Sequence, residues 1–418
     1  MRSIVVSSLL LFVATNSAFA DNWPNWRGPN GNGTVQGEYP TTWSDDENVA
    51  WKVPMISSAG STPIVWGDQI FLTAAQNGKN VVQCLNLSGQ ELWRVALSAE
   101  VEGKHKKGSG CNPSPVTDGE HVYVYYKSGD LACLSLDGKI VWRHNLQGDF
   151  AEDTLWWDLG TSPILSRDYV IVACVQSGPS YLAAWNRKTG ELAWKVDRML
   201  GAPEEANQTY STPFVVEHNG KELLIVLGAD HVTAHAVADG AELWRVGGMN
   251  PEGDKYFRSI SSPVIVDRVV IAPYARGTTL TAIDLEGKVI WNETAISADV
   301  PTPAALGDHV FVCADKGRFA CLEAKTGQIV WEANTGKHRT AFSASPIVAG
   351  RRLYLAREDG TVFVYEIDGE HRLLAENSLS EFTVATPVFV RGRILLRTAD
   401  HLFCIGTRSA SRRTTIVR

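Results

Sequence analysis

Six segments of this 418-residue chain concentrate residue types able to bind or catalyse. SAEVEGKHKKGSGCN sets Lys104, His105, Lys106 and Lys107 ahead of Cys111 and Asn112, and QGDFAEDTLWWDLG holds Asp153, Trp156, Trp157 and Asp158. RMLGAPEEANQTY offers Asn207 and Tyr210, GGMNPEGDKYFRS offers Tyr256 and Arg258, SADV offers Asp299, and NTGKHRTAF offers His338 and Arg339. Mixed charge with aromatics suits a small polar ligand or a peptide edge. The adjacent indoles of Trp156 and Trp157 in an acidic loop are hard to explain by packing alone and stand out for recognition. The plainer alternative is that Asp158, Arg258, Asp299 and Arg339 pair with one another and fill a channel. No catalytic residue and no metal set is legible. There is no Cys-x-x-Cys-His, His-Glu-x-x-His, phosphate-cradling glycine loop or Gly-x-Ser-x-Gly elbow. His231 and His235, four apart on a strand, lie about 13 Å apart, too far for one ion.

The elements that must position these segments follow from a repeat. A small pair closed by proline recurs eight times, at Pro63, Pro115, Pro163, Pro213, Pro263, Pro303, Pro346 and Pro387, with spacings of 40 to 52 residues. After each proline come short β-rich runs separated by glycine turns, as in HVYVYY and LACLSL, which read as four antiparallel strands per unit. The fourth run ends on a tryptophan: Trp93, Trp142, Trp194, Trp244, Trp291 and Trp331, with Leu373 in that slot of the seventh unit. The eighth unit lacks its fourth run, and NVAWKV with Trp51 supplies it from the N-terminal side. These features predict an all-β, eight-bladed β-propeller of four-stranded antiparallel blades over residues 49–406, its last blade closed by an N-terminal strand. Closure of that kind removes free edges. One indole per blade at fixed register is a packing pattern, each burying roughly 150–250 Å² against the next blade. The six segments become loops between blades. Asn112, Trp157, Asp158, Tyr210, Arg258, Asp299 and Arg339, just before each proline, should face the mouth of a central funnel.

CLEAKTGQIVW (321–331), AAWNRKTGELAW (183–194) and TAIDLEGKVIW (281–291) resemble the Ala-x-Asp-x-x-x-Gly-x-x-x-Trp docking motif of quinoprotein-type propellers. That group comprises dehydrogenases dependent on pyrroloquinoline quinone (PQQ) and noncatalytic BamB-like assembly factors. NWPNWRGPNGNGT also looks like the start of many secreted PQQ-like repeat proteins. The resemblance implies the packing motif over nearly the whole chain. The dehydrogenases hold PQQ and a calcium or lanthanide ion in the funnel with a Glu/Asn/Asp set, a catalytic Asp and commonly a disulfide between adjacent cysteines. This chain has no adjacent cysteine pair, and its carboxylates mostly sit in turns, as at Asp118, Asp137, Asp239 and Asp284. The expectation is a noncatalytic binding or assembly scaffold, without PQQ or metal, that meets a protein partner or a small polar ligand at its loop face. The alternatives are a PQQ-dependent oxidoreductase and a carbohydrate or peptide binder.

A net charge of −7 disfavours a general nucleic-acid binder, which needs a basic face. Residues 1–20, with Arg2, an apolar run from Ile4 to Ala14 and Ala18-Phe19-Ala20, read as a signal peptide. An exported chain follows, periplasmic or secreted, with no lipoprotein cysteine and no membrane-spanning run, expected as a monomer. Residues 21–48, rich in Gly, Pro and Asn, read as an irregular arm pinned by Trp23, Trp26 and Trp43, and residues 407–418 as a basic disordered tail. Six of the seven cysteines occupy repeated slots and read as buried hydrophobes. Cys111 is expected to be the exposed thiol, and Cys313 and Cys321, on one hairpin, are candidates for a bridge.

Overall fold

The computed structural model describes residues 21–407 apart from 275 and 370. The expected signal peptide and basic tail lie outside the described residues. Between glycine turns, alternating β-branched and aromatic residues make each repeat a four-stranded antiparallel sheet. Blade 3 is representative, with Ile164–Leu165, Tyr169–Cys174, Tyr181–Asn186 and Leu192–Asp197 side by side in chain order. Eight such sheets surround one axis, and among the described residues the helices are single turns at Leu146–Asp149 and Glu204–Asn207. The innermost strand of each blade starts just after its proline. The middle strands are buried on both faces, whereas outer strands such as Ile329–Asn334 alternate. Blade 8 contributes Val388–Val390, Arg393–Arg397 and His401–Ile405, and its fourth strand is Val49–Pro54, antiparallel to His401–Ile405 with Trp51 opposite Cys404.

The repeated tryptophan docks on a repeated glycine. The indole N–H of Trp51, Trp93, Trp142, Trp194, Trp244 and Trp291 donates to a carbonyl of the following blade at 2.8 to 3.0 Å. The ring lies on the turn glycine of that blade, so a Cβ at Gly190 (φ +75°) would stand 2.5 Å from the Trp142 ring. A close approach at positive φ is open to glycine and strained for any other residue. Trp331 breaks the series. Its glycine, Gly369, has nothing within 4 Å of a built Cβ, and the indole packs on His371 instead, with ring centroids 5.0 Å apart.

The arm at 21–48 crosses the channel. Trp23, fully buried, exchanges hydrogen bonds with Val65 in blade 1, and Pro24 accepts from Thr117 in blade 2. Asn32 then bonds Ala305 in blade 6, and Thr34–Val35 pairs in parallel with Ile347–Ala349 of blade 7. Blades 2 and 6 are opposite one another, so the chain between them closes the far end of the channel. Tyr39 and Trp43 then bury over the seam between blades 7 and 8, beside the blade whose tryptophan slot holds Leu373; Tyr39 meets Phe389 edge-on at 5.2 Å.

Two cysteine expectations are corrected. Cys111 is fully buried among Phe71, Val124 and Tyr126, because its loop folds inward against blades 1 and 2, and burial pushes its thiol up. Cys313 and Cys321 are free. Cys313 lies opposite Phe319 and Cys321 opposite Phe311, so neither faces the other.

Candidate functional site

The funnel is built on the residue that precedes each proline. All eight are hydroxyl residues: Thr62, Ser114, Ser162, Thr212, Ser262, Thr302, Ser345 and Thr386. Each backbone N–H donates to the side-chain oxygen of the corresponding residue in the next blade, at 2.8 to 3.2 Å. The last bond runs from Thr386 to Thr62 and closes a ring of eight. Proline fixes the backbone directly after each donor, which keeps the register constant. The repeat marker is therefore the clasp of the propeller, a role invisible while its members are read one at a time. The ring lines the lower part of a cavity of about 430 Å³, which Trp26 of the arm also lines.

Five of the expected residues come together in the wall of this cavity: Asn112, Trp157, Asp158, Tyr210 and Arg258. Asn112 ties two blades, its Oδ1 accepting from Gly60 N and Ser109 N, each at 3.1 Å. Asp158 accepts the backbone N–H groups of Lys104 (2.7 Å) and His105 (3.1 Å), and its carboxylate meets Lys127 Nζ at 2.7 Å in a nearly dry pair. Tyr210 donates to Gln208 and accepts from Trp157 N, and burial raises its hydroxyl above the usual range. Trp157 Nε1 donates to Glu205 at 2.7 Å, and its ring meets His105 edge-on at 5.6 Å. Arg258 bridges Glu205 (3.2 Å) and Asp299 (3.7 Å).

The other four stand apart from the cavity wall. Asp299 sits behind it, with neighbouring Val300 in the lining. Burial raises its carboxyl, and burial together with the Asp299 charge raises Asp315 to about 6; Asp315 accepts the N–H groups of Asp299 and Val300. Trp156 points outward, 46% exposed, while its N–H is held by Gln208. His338 and Arg339 are exposed, with His338 Nε2 3.6 Å from Asp359. The channel-filling pairing of acids and arginines holds for Arg258 with Asp299. Asp158 instead takes Lys127, which lies in a turn of YYKSGD that no pattern flagged. Glu205, Glu358, paired with Lys107 at 2.7 Å, and Trp26 were also missed.

The sequence model of the family described as "Outer membrane protein assembly factor BamB" matches residues 78–198, 153–302 and 292–374. The chain belongs to this family. Among BamB proteins, that of Escherichia coli (strain K12) is 25% identical over 384 residues, covering 88% of this chain and 89% of the relative. That of Burkholderia pseudomallei (strain K96243) is 24% identical over 345 residues, covering 72% and 83%. The crystal structure of BamB from Moraxella catarrhalis superposes with a TM-score of 0.61 at 16% identity, covering 86% of this chain and 97% of that one. A europium-containing methanol dehydrogenase superposes at 0.70 with 13% identity, covering 91% and 90%, a likeness of fold. The funnel of this BamB-family chain does not fit the metal half of a quinoprotein site. Asp158, Glu205, Asp299 and Glu358 are each engaged by a lysine or arginine of the chain, and among the described residues no three His, Cys, Asp or Glu side chains converge as a metal set. No helix among the described residues is long and apolar enough to cross a membrane.

Proposed function

We propose that this protein is an exported, noncatalytic scaffold that docks a protein partner on its loop face and serves outer membrane protein assembly, the task named for its relatives. The observation that carries this reading is the set of large apolar side chains exposed on consecutive loops around the funnel mouth. Val101, Trp156, Trp157, Met199 and Tyr256 are 44 to 56% exposed. Their backing is rigid. Gln208 holds Trp156 N, Tyr210 holds Trp157 N and Glu205 holds the Trp157 indole. Ordered indoles contribute contact area at small entropic cost, as interface anchors do.

The test places a photo-crosslinking residue at position 156, with position 330 on an outer strand as control, in the native host. One dominant adduct with a protein of the outer-membrane assembly machinery at 156 and not at 330 is expected; equal labelling at both sites would sink the docking face. Titration with PQQ and calcium, read by dye reduction with alcohols and aldoses, runs in parallel. Saturable turnover there would replace the scaffold reading with an oxidoreductase.

A further inference from the structure

The hydroxyl ring leaves eight protons over. Each ring oxygen accepts one backbone N–H, so its own O–H remains to be donated, and among the described residues none of the eight meets a protein acceptor. All eight residues line the cavity, so these donors converge on one space.

An independent feature lies against the ring. Arg27, 4% exposed, donates to the carbonyls of Pro303 (2.6 Å) and Pro346 (3.3 Å), which directly follow ring members Thr302 and Ser345. Arg397, fully buried, donates to Ser61 Oγ (2.5 Å) and to the carbonyls of Thr73 and Ser57, beside ring member Thr62. Neither guanidinium meets a carboxylate among the described residues, and the Nε of each has no partner. Burial alone lowers Arg27 to about 9. Buried like charges without a counterion are unfavourable, and a negative ligand relieves them. Asp158 and Glu358 each pair with a lysine and Glu205 and Asp299 share Arg258, so none of these four carboxylates pairs with Arg27 or Arg397.

We propose that the hydroxyl ring is a binding site for a small oxyanion, held near the channel axis by converging O–H donors and by the field of Arg27 and Arg397. A metal cation would meet both guanidiniums, and a neutral sugar would gain nothing from them. The oxyanion arrives either free, as phosphate or sulfate, or as the terminal carboxylate of a peptide reaching down the funnel. The site stands whether or not a protein docks on the loop face.

The experiment is calorimetric titration of the purified protein at fixed ionic strength with phosphate, sulfate, a pentapeptide and the same peptide amidated, with glucose as uncharged control. Saturable one-to-one binding of inorganic ions assigns the free source; binding of the acid peptide without the ions or the amide assigns the tethered one. In either case affinity should fall roughly tenfold in Ser262→Ala, as for loss of one charge-assisted donor, should fall in Arg27→Gln through loss of its field, and should stay unchanged in the surface variant Arg351→Gln, whose side chain is 68% exposed. If Arg27→Gln does not fold, Ser262→Ala carries the test. No saturable binding of any acidic probe, glucose binding as well as the anions, or undiminished affinity in the folded variants would overturn the proposal.

Discussion

Replacing Gly190 by alanine perturbs the contact that joins blade 2 to blade 3. The residue sits at φ +75°, and a Cβ there would stand 2.5 Å from Cγ and 2.8 Å from Cβ of Trp142. Forcing an L side chain into the left-handed region costs about 1–2 kcal/mol. Displacing a packed indole, whose N–H is also bonded to Arg187 O at 3.0 Å, adds about 1–3 kcal/mol of overpacking. The expected loss is therefore about 2–5 kcal/mol. Gly369 supplies the internal control, with the same repeat position and φ of +81° but nothing within 4 Å. Gly369→Ala should show the backbone part alone, about 1–2 kcal/mol. Urea denaturation of both variants beside the unmodified protein, followed by tryptophan fluorescence, measures the difference. Losses equal to within about 0.5 kcal/mol would refute tryptophan-on-glycine docking as the source of register.

Lys127→Met should destabilise by about 3–5 kcal/mol, because it removes one partner of a buried ion pair and leaves the Asp158 carboxyl, 4% exposed, without its cation; adding Asp158→Asn should recover much of that loss in a thermal melt. Asp315 is raised to about 6 in the folded protein from 3.8, so the native state holds its proton more tightly than the unfolded one. Its stabilising effect is full below pH 3.8 and is lost as pH rises through 6, a slope that Asp315→Asn should flatten in melting temperatures taken from pH 4 to 7. Trp23→Ala, at a fully buried indole holding the arm to blade 1, should cost about 3–5 kcal/mol and expose the arm to proteolysis; an arm as resistant as before would deny that Trp23 anchors it.

Blade number, strand order and closure were legible because each rests on local repetition. Proline, turn glycine and terminal tryptophan recur in every unit, and Trp51 is the one fourth-strand tryptophan without preceding strands of its own. The site was legible in part. Residues before the prolines fall on the funnel side through register, and Asn112, Trp157, Asp158, Tyr210 and Arg258 lie in the cavity wall. Loop geometry is not periodic, so Asp299 and Arg339, expected to face the funnel, do not line the cavity, and Cys111, expected to be exposed in its polar loop, is buried. The pairing of Asp158 with Lys127 and the contacts of Arg27 with Pro303 and Pro346 join residues 31, 276 and 319 apart. No local spacing signals such contacts. The hydroxyls were seen as markers, but their circular bonding depends on closure of all eight blades.

The most direct measurement of the account is quantitative proteomics of outer membranes from the native host lacking this chain, restored with the unmodified protein or with Trp156→Ala/Trp157→Ala. The scaffold account predicts reduced integral outer-membrane proteins in the deletion, recovery with the unmodified chain and failure of the double variant despite normal folding. Unchanged outer-membrane protein levels in the deletion would contradict it.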